Sequence, residues 1–97
     1  MTRRIMIESD ERWVLCGTVV SITTETNNKR TVILKDVRCA VRYTSKSGGL
    51  LGLAANGPSD DCKIGPLVEG PIEVVNVRLI ADVTEKAWQA WQRAPWA

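Results

Sequence analysis

Residues 38–49 of this 97-residue chain concentrate side chains that can bind an anion. They run Arg-Cys-Ala-Val-Arg-Tyr-Thr-Ser-Lys-Ser-Gly-Gly, and in an extended strand Arg38, Ala40 and Arg42 share one face. Guanidinium groups present paired N–H donors that match a phosphate or a carboxylate, and Ala40 leaves room between them. The pattern therefore favours an anion site. The alternative interpretation is a solvated basic strand edge.

The second half of this segment predicts the start of a helix near Leu50. The first N–H groups of a helix lack internal partners and carry the positive end of its dipole, which favours an anion. We expect Ser45 and Ser47 to cap this helix, Lys46 to add charge and Tyr43 to supply a ring. Lys46 precedes the glycines, so the segment is not a phosphate-binding loop of the Gly-x-x-x-x-Gly-Lys-Ser/Thr type. The predicted ligand-binding residues are Arg38, Arg42, Tyr43, Ser45, Lys46, Ser47, Gly48 and Gly49.

Residues for catalysis or metal binding are scarce. The chain has no histidine, and Cys16, Cys39 and Cys62 show no Cys-x-x-Cys spacing. Cys16 and Cys39 lie in apolar strand patterns, where a free cysteine usually acts as a small buried hydrophobic residue. The adjacent acids at 60–61 are typical of a solvated turn. We therefore expect no catalytic residue, no metal site and no cofactor.

Tryptophan supplies four of the five aromatic residues. Trp88 and Trp91 are three positions apart, which places both on one face of a helix. That face suits packing against the sheet or against a neighbouring subunit, and with Trp96 it is a candidate interface. Stacking on nucleobases is the alternative.

Alternation of apolar residues with period two predicts strands along much of the chain. The first strong strand has two apolar faces, which is typical of a central strand, and an Asn-Asn turn returns it as a hairpin. The predicted strands cover residues 13–23, 31–34, 37–43 and 72–83, with the turn at 26–29 and a break at 35–36. Residues 37–43 are either a third strand or a bent extension of the second.

Two helices are predicted. The shorter covers residues 50–55 and is stopped by Asn-Gly-Pro at 56–58. The second follows Thr84, which can cap it, has Glu85 in its first turn and ends before Pro95.

These elements predict an α+β fold: a small, curved antiparallel sheet or partly open barrel of four to six strands, with a short helix and a C-terminal helix. Residues 1–97 form a single domain, in which residues 1–11 are a weak strand or arm and residues 94–97 a tail. One small sheet rarely buries both faces, so we expect a homo-oligomer.

Net charge and the lengths of the apolar runs limit the classes of binding partner and the cellular location that we expect. The net charge of +2 is too balanced for a polybasic nucleic-acid binder. The apolar runs fall well short of a membrane span, and the N-terminus is charged too early for a signal peptide. We therefore expect a cytoplasmic protein without membrane contact.

From residue 31 onward one order of features is distinctive. It consists of the segments Val32–Arg38, Tyr43, Gly49–Ala54, Gly57, Cys62–Lys63, Ile72–Val75 and Glu85–Ala87 and the tail tryptophan. In this order the chain resembles a family of small, uncharacterised proteins encoded by phages and prophages. Where members of that family tend to carry bulky aromatic residues, this chain has Ala-Val-Arg at 40–42. The resemblance implies a phage context, hence the host cytoplasm, and no known reaction.

The first hypothesis is a non-enzymatic, oligomeric binding protein that sequesters a small phosphate-bearing ligand, such as a nucleotide signal of host defence. That role is an analogy with other small phage proteins. A second hypothesis is an inhibitor or virion accessory that binds a host protein through its tryptophans. A third is a single-stranded nucleic-acid-binding module, which the modest net charge disfavours.

Overall fold

The structure is a computed structural model that describes residues 2–95. Within that range the chain forms an open, curved antiparallel sheet of six strands and two helices, which confirms the predicted α+β class. The elements are β1 (Arg4–Ser9), β2 (Val14–Thr24), β3 (Arg30–Arg42), α1 (Gly49–Ala55), β4 (Lys63–Ile64), β5 (Ile72–Val74), β6 (Val77–Asp82) and α2 (Glu85–Arg93), with a 3-10 turn at Ser45–Ser47 before α1.

The hairpin of β2 and β3 is the predicted one. Its turn is closed by the Glu25 N–H, which donates to the Lys29 carbonyl over 2.7 Å, and Asn28 takes a left-handed conformation with φ of 67°. Of the two alternatives for residues 37–43, the bent extension is correct, because the break at residues 35–36 is a bend within β3. Asp36 has φ of 53° there, and β3 continues to Arg42, paired with β2 as far as Cys39.

The expectation of a weak strand or arm at residues 1–11 underestimates β1. This strand lies inside the sheet, paired with β2 on one side and β6 on the other. Ile5 and Ile7 are fully buried on one face, and Met6 is fully buried on the opposite face. The sequence shows the short apolar alternation of this strand, but it does not show that the strand pairs with β2 and β6.

The single strand predicted at residues 72–83 is wrong, because the chain switches partners within it. β5 pairs with β3, whereas β6 pairs with β1. Val75 and Asn76 connect the two strands, and Asn76 has φ of 54°. Since these two residues pass from one edge of the sheet to the other, the sheet must curve strongly at this end.

Each face of the curved sheet contributes to an apolar cluster within one chain. One cluster lies inside the curve and is built from strand residues, among them Ile5, Leu34 and Val77. The other lies under α1 and α2 and includes Leu53 and Trp91. Large apolar side chains are exposed nevertheless, at Trp13, Val20, Val68 and Val75. The oligomeric state itself stays a prediction.

Helix α2 begins as the sequence predicts. The Thr84 hydroxyl accepts a hydrogen bond from the Ala87 N–H over 3.0 Å and donates to the Ala55 carbonyl over 2.8 Å. The cap thus joins the start of α2 to the end of α1. Close approach of the two helices also requires Gly57, where an added Cβ would lie 2.5 Å from the Ala90 Cβ.

The end of α2 is held by a buried arginine from the sheet. Arg38 is 5% exposed, and its Nη1 donates to the Trp91 carbonyl over 2.9 Å and to the Ala94 carbonyl over 2.6 Å. Its Nε donates to the Gly65 carbonyl over 2.9 Å, which ties the segment after β4 to the same side chain. The last carbonyls of a helix lack internal partners and form the negative end of its dipole. A guanidinium supplies both the hydrogen-bond donors and the positive charge that stabilise such an end.

We predict that Arg38→Met lowers the free energy of unfolding by about 3 kcal/mol, because it leaves buried carbonyls without donors. Arg38→Lys should recover part of the loss, since an ammonium keeps the charge but not the fork of donors. Urea denaturation measures both. Arg30→Met, at the other end of β3, is the control and should change stability little. A loss of less than 1 kcal/mol for Arg38→Met would contradict this role for Arg38.

Candidate functional site

The two arginines of the predicted fork lie in different environments. Arg38 is directed into the interior, and burial lowers the pKa of its guanidinium, although arginine stays protonated. Arg42 is exposed. The register between β3 and β4 shifts between Ala40 and Arg42, and such a bulge changes the direction of side chains. Arg38 is therefore a structural residue. In an anion site at Arg42, the other cations must come from other elements.

The turn before α1 differs from the predicted cap. Thr44, and not Ser45 or Ser47, caps the 3-10 turn by accepting from the Lys46 N–H over 3.3 Å. Ser45 is exposed, while Ser47 is buried and donates to the Thr44 carbonyl over 3.0 Å. The N-cap of α1 is Gly48, which offers no side chain. The sequence suggested serine caps because the 3-10 turn that separates them from α1 was not apparent.

Gly48 and Gly49 have φ of 96° and 70°, so the backbone here uses conformations that glycine adopts without strain. Their role in the structure is to turn the chain. Helix α1 has seven residues and begins without a side-chain cap, so the predicted anion site at its start gains no support from capping geometry.

Lys46 is exposed but already paired. Its Nζ lies 2.6 Å from an Asp60 carboxylate oxygen, and this hydrogen bond raises the pKa of Lys46. The neighbouring Asp61 accepts from the hydroxyls of Ser59 and Thr44, which lower the pKa of its carboxyl group. Both acids predicted to be merely solvated thus hold the 44–46 turn against the 58–62 loop.

The aromatic residues are used mainly for packing. Tyr43 is half-buried and contacts the cluster under the helices. Trp91 is fully buried, and its indole N–H donates to the Leu53 carbonyl over 2.9 Å. Trp88 is 7% exposed and lies beneath the Arg4 guanidinium, 4.4 Å from the ring centroid. These two tryptophans pack within the chain, and the predicted Trp96 lies outside the described residues.

Arg42 opens onto a cleft of about 690 Å³, here called the polar cleft. Three elements bring a cation to it: Arg42 from β3, Lys63 from β4 and Arg93 from α2. Among residues 2–95 none of these three cations forms an ion pair, whereas Lys46 beside them does. The remaining lining comes from Pro58, Ser59, Asp60, Asp61, Cys62, Ala90, Ala94 and Pro95.

Two of these cations lie opposite each other on adjacent strands. Arg42 and Lys63 are register partners on β3 and β4, and like charges directly opposite in a sheet are destabilising. An anion between them would remove that repulsion. The sequence analysis missed Lys63 and Arg93, because only the β3–β4 pairing and the docking of α2 bring them to Arg42.

Burial favours the protonated form of two of the three thiols. Burial raises the pKa of Cys16 from 9.0 to about 12, only partly opposed by the charge of Arg4, and burial also raises the pKa of Cys39. Cys62 is half-buried, with its Sγ 3.4 Å from the Ser59 hydroxyl.

Two negative findings apply to the part of the chain that the structure describes. No group of three or more histidine, cysteine or acidic residues is placed to hold a metal ion. No helix there is both long enough and apolar enough to cross a membrane.

Comparison with known proteins gives one match. Residues 2–91 match a family model described as a domain of unknown function, DUF6948. No curated protein and no solved structure matches the chain.

The buried Cys16 thiol makes stability depend on pH at the alkaline end. Unfolded Cys16 ionises near pH 9.0 and folded Cys16 near about 12, so its contribution is complete below pH 9 and is lost as the pH rises between these values. We expect this group to lower the free energy of unfolding by about 2 kcal/mol between pH 8 and about 10.5.

Urea denaturation of the wild type and of Cys16→Ala at several pH values isolates this effect. Cys16→Ala leaves a small cavity whose cost does not depend on pH, so the stability gap between the two proteins should narrow as the pH rises. A gap that stays constant up to pH 10.5 would exclude a raised pKa for Cys16.

Proposed function

We propose that this chain, which belongs to the DUF6948 family, acts by binding a small phosphate-bearing ligand in the polar cleft. The observation that carries the proposal is the convergence of Arg42, Lys63 and Arg93 on one cleft without an ion pair among residues 2–95. Repulsion among neighbouring cations destabilises the free protein. Binding of an anionic ligand would remove that repulsion, and this would contribute to the affinity.

The surroundings of the cleft support an anion. Asp60 and Asp61 lie in its lining. Lys46 pairs with Asp60, whereas Asp61 keeps its negative charge, because the hydroxyls that bond it lower the pKa of its carboxyl group. The negative end of the α2 dipole is near as well, and Arg38 satisfies its carbonyls. The three cations therefore outnumber the one lining carboxylate that has no cationic partner among residues 2–95.

The size and chemistry of the cleft favour a nucleotide over a bare ion. A volume of about 690 Å³ falls within the usual range for small-molecule sites. Arg42 and Arg93 can each hold a phosphate with two N–H groups, while Lys63 contributes a point charge. Pro58, Ala90 and Pro95 add apolar surface on which a base or ribose can rest.

Two finer parts of the proposal rest on the sequence resemblance and on analogy with other small phage proteins: a phage or prophage setting in the host cytoplasm, and sequestration of a nucleotide signal of host defence. Two others rest on the sequence itself: assembly into a homo-oligomer, from the small size of the sheet, and action without catalysis, from the scarcity of catalytic residue types. In this proposal, a small protein removes a signal from solution by binding it stoichiometrically. Trp88 and Trp91 are buried, so the second hypothesis, a host-protein inhibitor, would need another surface.

We predict that pyrophosphate, ATP or cyclic di-GMP raises the melting temperature of the wild type by several degrees, because ligand binding to the folded state stabilises it. Arg42→Ala should weaken binding about 10-fold or more through the loss of charge-assisted hydrogen bonds. Arg30→Ala, an arginine on the same strand but outside the cleft, is the matched control and should bind as the wild type does. Isothermal titration calorimetry measures each affinity.

Two results would contradict this proposal. One is the absence of any thermal shift with the three probes at low salt. The other is equal binding by Arg42→Ala and Arg30→Ala, which would place the anion elsewhere.

Because Arg42 and Lys63 repel each other, a charge reversal at Lys63 should raise the stability of the free protein and weaken its binding of an anion. Lys63→Glu replaces this repulsion with attraction across the strands, which should stabilise the free protein by about 0.5 kcal/mol and raise its melting temperature by a few degrees. The same change should abolish the thermal shift with pyrophosphate. Lys63→Glu with a lower melting temperature than wild type in the absence of ligand would contradict the cross-strand repulsion.

A further inference from the structure

A second concavity, of opposite character, lies where the β1–β2 turn meets the segment that leads into β5. It has a volume of about 410 Å³ and is called here the Trp13 groove. Buried side chains of the sheet, Leu15 and Val37, form its base. The groove shares no lining residue with the polar cleft.

Large apolar side chains of the groove are left exposed to solvent. Trp13 is 61% exposed, Val75 is 55% exposed and Val68 is 45% exposed. Trp13 was predicted to begin the first strong strand, but that strand starts at Val14, which is buried, and Trp13 stays outside it. A contiguous exposed apolar surface of this kind is typical of a binding site.

The charged residues of the groove all have the same sign. Its lining includes Asp10, Glu11 and Glu73 and, among residues 2–95, neither lysine nor arginine. The three acids come from two separate segments, the β1–β2 turn and β5. None of them forms an ion pair with another described residue, although Glu8, Asp60, Asp82 and Glu85 do. This local acidity opposes the net charge of +2 on the whole chain.

We propose that the Trp13 groove binds an extended peptide segment of another protein in which arginine or lysine stands next to apolar side chains. The apolar residues would contact Trp13 and Val68, and the cations would meet the acids at the rim. Charge complementarity decides between classes of partner. An acidic rim repels nucleic-acid phosphates and anionic lipid surfaces, whereas it attracts a cationic peptide.

The test uses three labelled hexapeptides that differ in one property each. Arg-Leu-Arg-Leu-Arg-Leu has both features, Arg-Ser-Arg-Ser-Arg-Ser lacks the apolar side chains, and Glu-Leu-Glu-Leu-Glu-Leu reverses the charge. Fluorescence anisotropy with the full-length protein should show binding of the first and at least 10-fold weaker binding of the other two. Because the whole chain is cationic, a non-specific attraction would not produce this order.

Variants locate the contact. Trp13→Ala and the double change Glu11→Lys with Glu73→Lys should each weaken the first peptide at least 10-fold. Glu25→Lys, at an exposed acid in the β2–β3 turn, is the control and should leave the affinity unchanged. Arg42→Ala should also leave it unchanged, so this proposal and the proposed phosphate site can fail separately.

Three outcomes would overturn the proposal. One is equal binding of the first peptide and the serine peptide, which would exclude the apolar contact. Another is a loss of affinity in Glu25→Lys as large as that of the rim changes, which would indicate general electrostatic attraction. The third is a dimer in light scattering that Trp13→Ala dissociates while no peptide binds, which would make the occupant a second copy of this chain.

Discussion

The guanidinium of Arg38 is the contact on which the rest of the arrangement depends. It joins three parts of the chain that are far apart in sequence: the middle of β3, the end of α2 and the segment after β4. Helix carbonyls that end inside a protein need donors, and arginine brings several in one rigid, charged group. Arg38 thereby fixes the end of α2, which carries Arg93, close to the residue that follows β4, which carries Lys63.

Strand β3 gives the molecule its shape. It pairs with β2 along one edge and, in succession, with β5, Val68 and β4 along the other. The left-handed conformation at Asp36 bends it, and the crossing from β5 to β6 brings the sheet round to β1. A sheet curved in this way closes one apolar cluster inside itself and leaves the other face for the helices.

The surface then divides by charge. Within the described range 2–95, the end of the molecule near α2 has cations without an ion pair, and the groove beside Trp13 has acids without one. Opposite potentials on separate surfaces favour two kinds of partner, and binding at one need not disturb the other. The two proposed binding events are therefore compatible with each other.

Much of the fold could be predicted because its signals are local. Alternation over residues 13–23, the Asn-Asn turn and the cap at Thr84 each act through neighbours in sequence, and each appears as predicted apart from Trp13. The prediction failed where a second segment decides the outcome. The central place of β1 depends on β6, and the division of residues 72–83 depends on a change of strand partner.

The candidate site shows the same division. The sequence by itself determined which charges exist near residues 38–49 and that the chain has no histidine. Only the tertiary structure decided that Arg38 serves the fold, that Lys46 is neutralised by Asp60 and that Arg42 lies with Lys63 and Arg93. The physical reason is that burial and pairing depend on distances between segments, and periodicity along one segment contains no information about those distances.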